Sequence, residues 1–262
     1  VNKPDLSDIY VLTRNPDNDQ EYLLDGNWVP FEEKTAKIKI KLFGPFASTA
    51  KRKILFSKHG PVIESKHGTY AIRYAGQGEI RQFEQYYRYN KAQNLADFKA
   101  ALEMQALPSI NYLYADKDGN IGFIHNGQYP ERIEGWNWRK YLPGDRSDLI
   151  WQNYKPFANV PQIFNPTSGF LYNSNNTLFS ATDGNDNLRP EQFSPTMGLE
   201  THETNRSLRI QELTDGVSPI TEVELLKIKF DLKYSSNSTA AKIIAEVLEN
   251  DWSNEPEMQD AV

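Results

Sequence analysis

Two short β-prone segments on either side of a tight turn constrain the fold of this chain more than any other feature. Residues 111–115 and 121–125 flank a turn that contains Asp118 and Gly119. An Asp-Gly pair between two such segments is typical of a β-hairpin, because these residues accept the backbone angles that a tight turn needs. The pattern predicts an antiparallel pair of strands over residues 111–125.

Similar short strands, separated by glycine, proline and aspartate, run through the first part of the chain. Asp25-Gly26-Asn27 follows a β-prone run and predicts a second hairpin. Residues 37–43 alternate lysine with apolar side chains, which predicts a strand with one face in solvent. Repeated short strands joined by such turns favour antiparallel sheet.

Helical spacing of apolar residues begins at Asn94 and returns in the last third of the chain. The first predicted helix ends before Pro108, and the others cover residues 203–213, a segment that starts at Thr221, and residues 239–248. Three regions are therefore expected: residues 1–130, mainly β structure with one helix; residues 131–200, long ordered loops; and residues 201–262, mainly helical.

The composition excludes several functional classes. The 262 residues are enough to bury a real core, and the formal charge of −6 argues against nucleic acid as a partner. The longest apolar runs are far below the ~20 residues that a membrane-spanning helix needs. The sequence contains no cysteine, which excludes disulfides, thiolate metal sites and a cysteine nucleophile.

Asparagines are concentrated after a turn at residues 165–169. Residues 170–172 predict a brief strand, which would place Asn173 and Asn175 on one face and Asn176 on the other. An asparagine amide donates two N–H groups without carrying charge, so a rigid strand end that holds one suits a developing oxyanion. The alternative is that these asparagines only cap and turn the chain.

Other candidate sites are less sharply defined. The four histidines are scattered, and the chain has neither an H-E-x-x-H nor a G-x-S-x-G motif, so we expect no histidine triad or zinc site. Asp5 and Asp8, with the carbonyl between them, could bind a hard cation or could simply face solvent. Tyr86 and the aromatic residues around it could line a substrate pocket or belong to the core.

Four blocks of sequence extend this picture. They are residues 106–123, residues 127–132, Pro143-Gly144 before Trp151, and Asn165-Pro166 with Gly169 followed by residues 173–176. In order and spacing, and over roughly the whole chain, they resemble the penicillin acylase (penicillin amidase) family of N-terminal nucleophile hydrolases. The resemblance implies an α+β fold of antiparallel sheets with helices, part of a four-layered αββα architecture. It also implies cleavage of the amide bond of a small acylated substrate, of the β-lactam or N-acyl-homoserine lactone type.

The same resemblance assigns roles to individual residues. An N-terminal serine would be the nucleophile and its own α-amine the base, which explains why no histidine is needed. The side chain of Asn175 and the backbone N–H of Val1 would form the oxyanion hole, and Arg206 would lie near the active centre. A structural calcium ion would be held by Asp5, Asp8, the carbonyls of Ser7 and Trp138, and a later aspartate, Asp186 or alternatively Asp183. No organic cofactor is expected.

The serine itself is expected upstream of this chain, because the chain does not begin with serine, cysteine or threonine. We therefore expect an internal part of the β-subunit, inactive alone, whose partners are the acylase segments that carry the nucleophile, the α-subunit and the substrate. The resemblance implies a bacterial protein in the periplasm or secreted. The alternatives are a non-catalytic binding module that keeps the fold and, to explain the aromatic residues, a carbohydrate-binding β domain.

Overall fold

The structure is a computed structural model that describes residues 4–217, 219–250 and 252. Its strands are β1 (Ser7–Leu12), β2 (Glu21–Leu24), β3 (Asn27–Pro30), β4 (Glu32–Phe43), β5 (Phe46–Phe56), β6 (Val62–Ser65), β7 (Gly68–Tyr74), β8 (Ser109–Ala115), β9 (Ile121–Gly127), β10 (Leu142–Pro143) and β11 (Gln162–Phe164). Its α-helices are α1 (Gln82–Lys91), α2 (Leu95–Leu102), α3 (Asn205–Thr214), α4 (Glu222–Lys229) and α5 (Thr239–Glu249). Short 3₁₀ turns punctuate the loops between residues 147 and 197.

Two sheets form the centre of the fold. The larger has the strand order β10-β1-β7-β6, in which β1 runs antiparallel to β7 and parallel to β10. The smaller has the order β11-β9-β8 and is antiparallel throughout. Strands β2 and β3 form the hairpin predicted around Asp25-Gly26-Asn27. The α+β class with antiparallel sheets is therefore confirmed.

The hairpin predicted over residues 111–125 is also confirmed, and one side chain explains its turn. Oδ1 of Asp116 accepts hydrogen bonds from the backbone N–H groups of Asp118 (3.0 Å) and Asn120 (2.9 Å). Gly119 takes a φ of +87°, which costs little without a Cβ atom. The hydrogen bonds from Asn120 hold the pKa of the Asp116 carboxyl below its ordinary value. The turn is thus held by a charged acceptor, which fixes the register of β8 and β9.

Strand β4 exists as predicted, but its surroundings differ from the prediction. Among the described residues it pairs only with β5, and side chains on both faces of this two-stranded ribbon are exposed. Ile38, on the apolar face, is 49% exposed, and Lys37 on the other face lies opposite Lys51. Alternation sets which side chains share a face, but it does not specify that another layer covers that face.

The first 130 residues contain two helices where the sequence predicted one. Helix α2 begins after Asn94, whose Oδ1 accepts from the N–H of Asp97 (2.9 Å), as the sequence indicated. Helix α1 was missed because its aromatic side chains, such as Phe83, are largely exposed and give no buried periodic stripe. Its anchor is polar: buried Gln85 accepts hydrogen bonds from the backbone N–H groups of Ala106 (2.6 Å) and Leu107 (3.2 Å). The three helices predicted after residue 200 are present as α3, α4 and α5.

A buried histidine lies in the core beside the larger sheet. The ring of His59 has no solvent exposure, and its centroid is 4.5 Å from that of Tyr10 on β1. Burial, with the nearby charge of Arg73, lowers the pKa of His59 from 6.5 to about 4. His59 is therefore neutral in the folded protein near neutral pH, and it packs as an aromatic core residue.

We predict that His59 makes the protein less stable as the pH falls. The unfolded chain protonates His59 below its ordinary pKa of 6.5, whereas the folded chain resists protonation until about pH 4. The free energy of unfolding should therefore decrease between pH 6.5 and pH 4, by up to roughly 3 kcal/mol from this residue. His59→Phe should flatten the curve in that window, measured by urea unfolding at stepped pH. The exposed His67→Phe is the matched control, and an equal flattening in both variants would contradict the prediction.

Candidate functional site

The asparagine-rich segment is anchored to the β8–β9 hairpin at its start. Asn165 has a φ of +47°, and its Oδ1 accepts from the N–H of Ile121 (2.9 Å). Its Nδ2 donates to Oδ1 of Asn120 (3.0 Å), and the N–H of Gly169 donates to the carbonyl of Pro166 (2.9 Å). The predicted turn is therefore present, and it fixes where the chain enters the candidate site.

The strand predicted over residues 170–172 is wrong. Backbone pairing in this segment is limited to the N–H of Tyr172, which donates to the carbonyl of Ala181 (3.0 Å), and the residues have no strand conformation. β-prone residue types make a strand only where a neighbouring strand offers a ladder, and here a 3₁₀ turn lies alongside instead. The assignment of Asn173 and Asn175 to one strand face therefore does not hold.

Asn173 instead holds the backbone of Asn175 in place. Its Oδ1 accepts from the backbone N–H of Asn175 (3.1 Å) and from Nδ2 of Asn111 on β8 (3.1 Å). Asn175 adopts a left-handed backbone conformation with a φ of +62°, which asparagine accepts more readily than most residues. The side chain of Asn173 therefore connects the rigid sheet to the backbone of Asn175.

Arg206 fixes the other end of Asn175. Its Nη2 donates to Oδ1 of Asn175 at 2.5 Å. Arg206 lies in the first turn of α3, a helix whose start is set by a reciprocal pair of hydrogen bonds between Thr204 and Ser207. Because the guanidinium binds the amide oxygen, the Nδ2 group is the donating side of the Asn175 amide. The structure thus brings the two predicted catalytic residues, Asn175 and Arg206, into direct contact.

Asn176 has a different environment. Its side chain is 1% exposed, and Oδ1 accepts from the N–H of Ser174 (2.9 Å). Its Nδ2 donates to the carbonyls of Thr177 (2.8 Å) and Ser180 (3.3 Å). These contacts satisfy the amide within the protein, so Asn176 shapes the loop and does not present donors to a ligand.

Two further predicted residues have no established position at this site. Val1, the proposed second oxyanion donor, lies outside the described residues. Tyr86 is on α1, where its ring packs against Tyr89 with centroids 5.3 Å apart, and Tyr89 in turn contacts the core ring of Tyr112. A substrate-binding role for Tyr86 stays a prediction.

The acidic residues proposed to bind calcium surround an arginine. Asp8 is fully buried, and its Oδ2 accepts from Nε of Arg132 (3.1 Å) and from Nε1 of Trp151 (2.6 Å). A second guanidinium nitrogen, Nη2, lies 2.8 Å from Oδ1 of Asp8, and Oδ2 of Asp5 is 3.5 Å from Nη1. Burial raises the pKa of the Asp8 carboxyl to about 6, against the opposing effect of Arg132. Arg132 was not among the predicted site residues, although it ends the block at residues 127–132.

The remaining proposed calcium ligands are divided between two places. Asp5, Ser7 and Trp138 line one cavity of about 640 Å³. Asp186 is elsewhere: its Oδ2 accepts from the N–H of Thr167 (2.8 Å), and the hydrogen bonds from Thr167 lower its pKa. Within residues 4–217, 219–250 and 252 there is no cluster of three or more His, Cys, Asp or Glu side chains that could hold a metal ion. In the same residues, no helix has the length and apolar character of a membrane span.

Comparisons with known proteins confirm the resemblance that the sequence blocks indicated. A family model described as penicillin amidase matches residues 1–261. The chain is 31% identical over 174 residues to penicillin G acylase of Escherichia coli, covering 65% of this chain and 20% of that protein. It is 27% identical over 130 residues to the acyl-homoserine lactone acylase PvdQ of Pseudomonas putida, covering 47% of this chain and 17% of that protein. The chain therefore spans about a fifth of the length of these relatives.

A solved structure shows the same fold. The thermostable penicillin G acylase of Alcaligenes faecalis superposes with a TM-score of 0.68 and 23% sequence identity, covering 86% of this chain and 38% of that one. This similarity supports the N-terminal nucleophile hydrolase fold and the antiparallel α+β architecture.

We predict that the guanidinium of Arg132 is the most sensitive charged group in this region. Arg132→Met keeps much of the side-chain volume but leaves the buried Asp8 carboxylate uncompensated, which should lower the free energy of unfolding by about 3–5 kcal/mol. Adding Asp8→Asn to Arg132→Met should recover part of that loss, because the unpaired charge is then removed. Arg88→Met, at an exposed ion pair with Glu84 on α1, is the control and should change stability little. Equal losses at Arg132 and Arg88 in denaturant titrations would refute the prediction.

Proposed function

This chain belongs to the penicillin amidase family, and on that premise we propose that it is part of an amidohydrolase that cleaves the amide bond of a small acylated substrate. The relatives named penicillin G acylase and acyl-homoserine lactone acylase suggest β-lactam or N-acyl-homoserine lactone substrates. The nucleophile would be an N-terminal serine carried by another segment of the complete enzyme. The role of this chain would be to supply the donor that stabilises the tetrahedral intermediate.

The proposed reaction proceeds through a tetrahedral intermediate and an acyl-enzyme. The serine hydroxyl attacks the scissile carbonyl while its own α-amine takes the hydroxyl proton. The carbonyl oxygen becomes an oxyanion, which would accept hydrogen bonds from Nδ2 of Asn175 and, in the proposal, from the backbone N–H of Val1. The C–N bond then breaks, the α-amine returns the proton to the leaving amine, and water hydrolyses the acyl-enzyme.

The contact between Arg206 and Asn175 is the observation that carries this proposal. A charged donor on the amide oxygen polarises the amide and strengthens Nδ2 as a hydrogen-bond donor. Asn173, held by Asn111 on β8, fixes the backbone of the same residue. A donor fixed at both ends needs little reorganisation when negative charge develops, which is the requirement for oxyanion stabilisation.

We also propose the partners and the location of the protein. The complete enzyme would contain an α-subunit and the remaining β-subunit segments, and it would act in the bacterial periplasm or outside the cell. The bacterial relatives and the absence of cysteine are consistent with this location. Cell fractionation of the native host tests it.

We predict that Asn175→Ala in the complete enzyme lowers kcat by about 10²–10³, with little change in KM. The reason is that the hydrogen bond to the substrate oxygen tightens in the transition state and contributes little to ground-state binding. Steady-state kinetics with a chromogenic acyl-amide would measure both constants. Asn173→Ala should have a smaller effect, because it removes the support of Asn175 and not the donor itself.

Asn176→Ala is the matched control, since its amide is used inside the loop. Each variant is first checked for correct maturation and for its Tm. If Asn175→Ala kept wild-type kcat while Asn176→Ala lost it, the oxyanion assignment would belong to the wrong asparagine. A mature wild-type enzyme that turned over no acyl-amide would favour the alternative, a non-catalytic binding module.

The structural calcium ion remains part of the proposal, in a narrower form. Oδ2 of Asp5 and Oδ1 of Asp8 are buried, with the guanidinium of Arg132 at 3.5 and 2.8 Å respectively, and carboxylate oxygens suit a hard cation. Ser7 and Trp138 would add carbonyl oxygens. Because Asp186 is used to cap the turn at Thr167, it is the weakest of the proposed ligands.

We predict that calcium raises the Tm of the complete protein through Asp5. A ligand at 100 times its dissociation constant stabilises the folded state by about 2.7 kcal/mol. Asp5→Asn should reduce this shift, whereas Asp186→Asn should leave it unchanged, because Asp186 is engaged elsewhere. Asp8 is a poor probe, since its substitution also breaks the pair with Arg132. Thermal unfolding at stepped calcium concentrations tests the site, and a wild-type Tm that did not respond would count against it.

A further inference from the structure

A cavity of about 460 Å³ adjoins the candidate site on the side of Arg206. Asn173 and Ser174 form one wall of this cavity, α3 contributes Arg206 and Arg209, and α4 contributes Lys229. The volume is within the range that holds a small organic ligand. Because Arg206 both lines the cavity and binds the amide of Asn175, a group bound here would lie beside the proposed scissile carbonyl.

The cavity is positively charged. Its lining includes Arg206, Arg209, Lys229 and Lys233 but a single acidic residue, Asp231. Asp231 is used by Arg209, through contacts of 2.8 and 3.0 Å, and Glu212 also contacts Arg209 at 3.0 Å. These contacts hold the pKa of Arg209 above its ordinary value.

The other three cations lack a direct carboxylate contact in the described residues, although the charge of Lys233, after the hydrogen bonds from Arg209, contributes to lowering the pKa of Asp231. Arg206 donates to a neutral amide oxygen, and Nζ of Lys229 lies 5.4 Å from the centre of the Phe230 ring. Within the part of the chain that the structure describes, none of Arg206, Lys229 and Lys233 forms an ion pair with a carboxylate. The cavity therefore carries a net positive charge in a protein whose overall charge is −6.

Apolar side chains complete the lining. Ile210 and Leu213 of α3 and Ile228 of α4 face the same space as the cations. An apolar wall beside positive charge suits an organic anion with a hydrocarbon body, and it suits a free inorganic ion less well. A carboxylate is an anion of this kind, because it stays ionised at neutral pH.

We propose that this cavity is a subsite for a carboxylate carried by the substrate, an inference that rests on the proposed amidase function. The carboxylate could belong to the leaving amine or to the acyl group, and the cationic wall recognises either. Lys229 and Lys233 would bind it as point charges, while Arg206 would remain on Asn175. The subsite favours acylated substrates with an anionic group over uncharged ones such as N-acyl-homoserine lactones.

The test compares matched substrates on the complete enzyme. For the amine side, the pair is the phenylacetyl amide of 4-aminobenzoate and that of 4-aminobenzamide. For the acyl side, the pair is glutaryl anilide and the same compound with its carboxylate converted to a primary amide. In each pair the measured quantity is the ratio of kcat/KM for the charged and neutral substrates. We expect a ratio well above one for at least one pair, decreasing as salt screens the charges.

The variants are Lys229→Gln, Lys233→Gln and their combination. Each single variant should lower the ratio by about two- to fivefold, which is typical of one partly exposed charge contact. Lys227→Gln, on the same helix but outside the cavity lining, is the matched control and should keep the wild-type ratio. The Tm of each variant shows whether α4 remains folded.

A second measurement does not depend on turnover. Calorimetry compares the affinity of 4-acetamidobenzoate with that of 4-acetamidobenzamide for the complete protein and for the double variant. Tighter binding of the carboxylate that is lost in the double variant supports the inference even if no substrate is cleaved, in which case the amidase proposal alone fails. The opposite result is that neutral substrates are turned over, the kcat/KM ratios are near one, and 4-acetamidobenzoate and 4-acetamidobenzamide bind equally well. That result would overturn the subsite and leave the amidase proposal intact.

Discussion

The buried ion pair between Asp8 and Arg132 connects strand β1 to the loops that have the least regular backbone. Asp8 belongs to β1, and Nη1 of Arg132 also donates to the carbonyl of Thr196 (3.0 Å) in the loop before α3. Trp151 adds a hydrogen bond from a third loop. Removing two charges from water is costly, and only close geometry with further hydrogen bonds offsets that cost. The pair therefore joins β1 to three loop segments, those of Arg132, Trp151 and Thr196.

The candidate oxyanion donor depends on a second chain of polar contacts, which runs from Asn111 through Asn173 to Asn175 and Arg206. Its first member is on a sheet strand and its last is on a helix, so two rigid elements hold an irregular loop between them. A donor must stay within a fraction of an ångström of its working position to stabilise a transition state. The loop supplies the unusual backbone conformation, and the strand and the helix supply the rigidity.

Local charge at the site differs from the charge of the whole chain. The net charge of −6 argues against polyanionic partners in general. Basic side chains are nevertheless concentrated beside Asn175, on α3, at the end of α4 and at Lys233. A partly enclosed, cationic surface raises the local concentration of an anionic substrate even when the protein as a whole is acidic. Overall composition therefore limits the class of partner but does not set the specificity of a single cavity.

The sequence by itself determined the elements whose signals are local. The hairpin over residues 111–125, the cap at Asn94 and the helix start at Thr221 each depend on hydrogen bonds between a side chain and a backbone group a few residues away. The ordered sequence blocks also identified the family, whereas the contact between Asn175 and Arg206 came only from the tertiary structure. Only the tertiary structure decided that residues 170–172 are not a strand, that α1 exists, and that Asp8 binds Arg132 across 124 residues of chain. In each of these cases the deciding partner is distant in sequence. A local pattern cannot predict whether a neighbouring strand will pair with residues 170–172, whether Gln85 will meet backbone donors, or whether a guanidinium will lie beside Asp8.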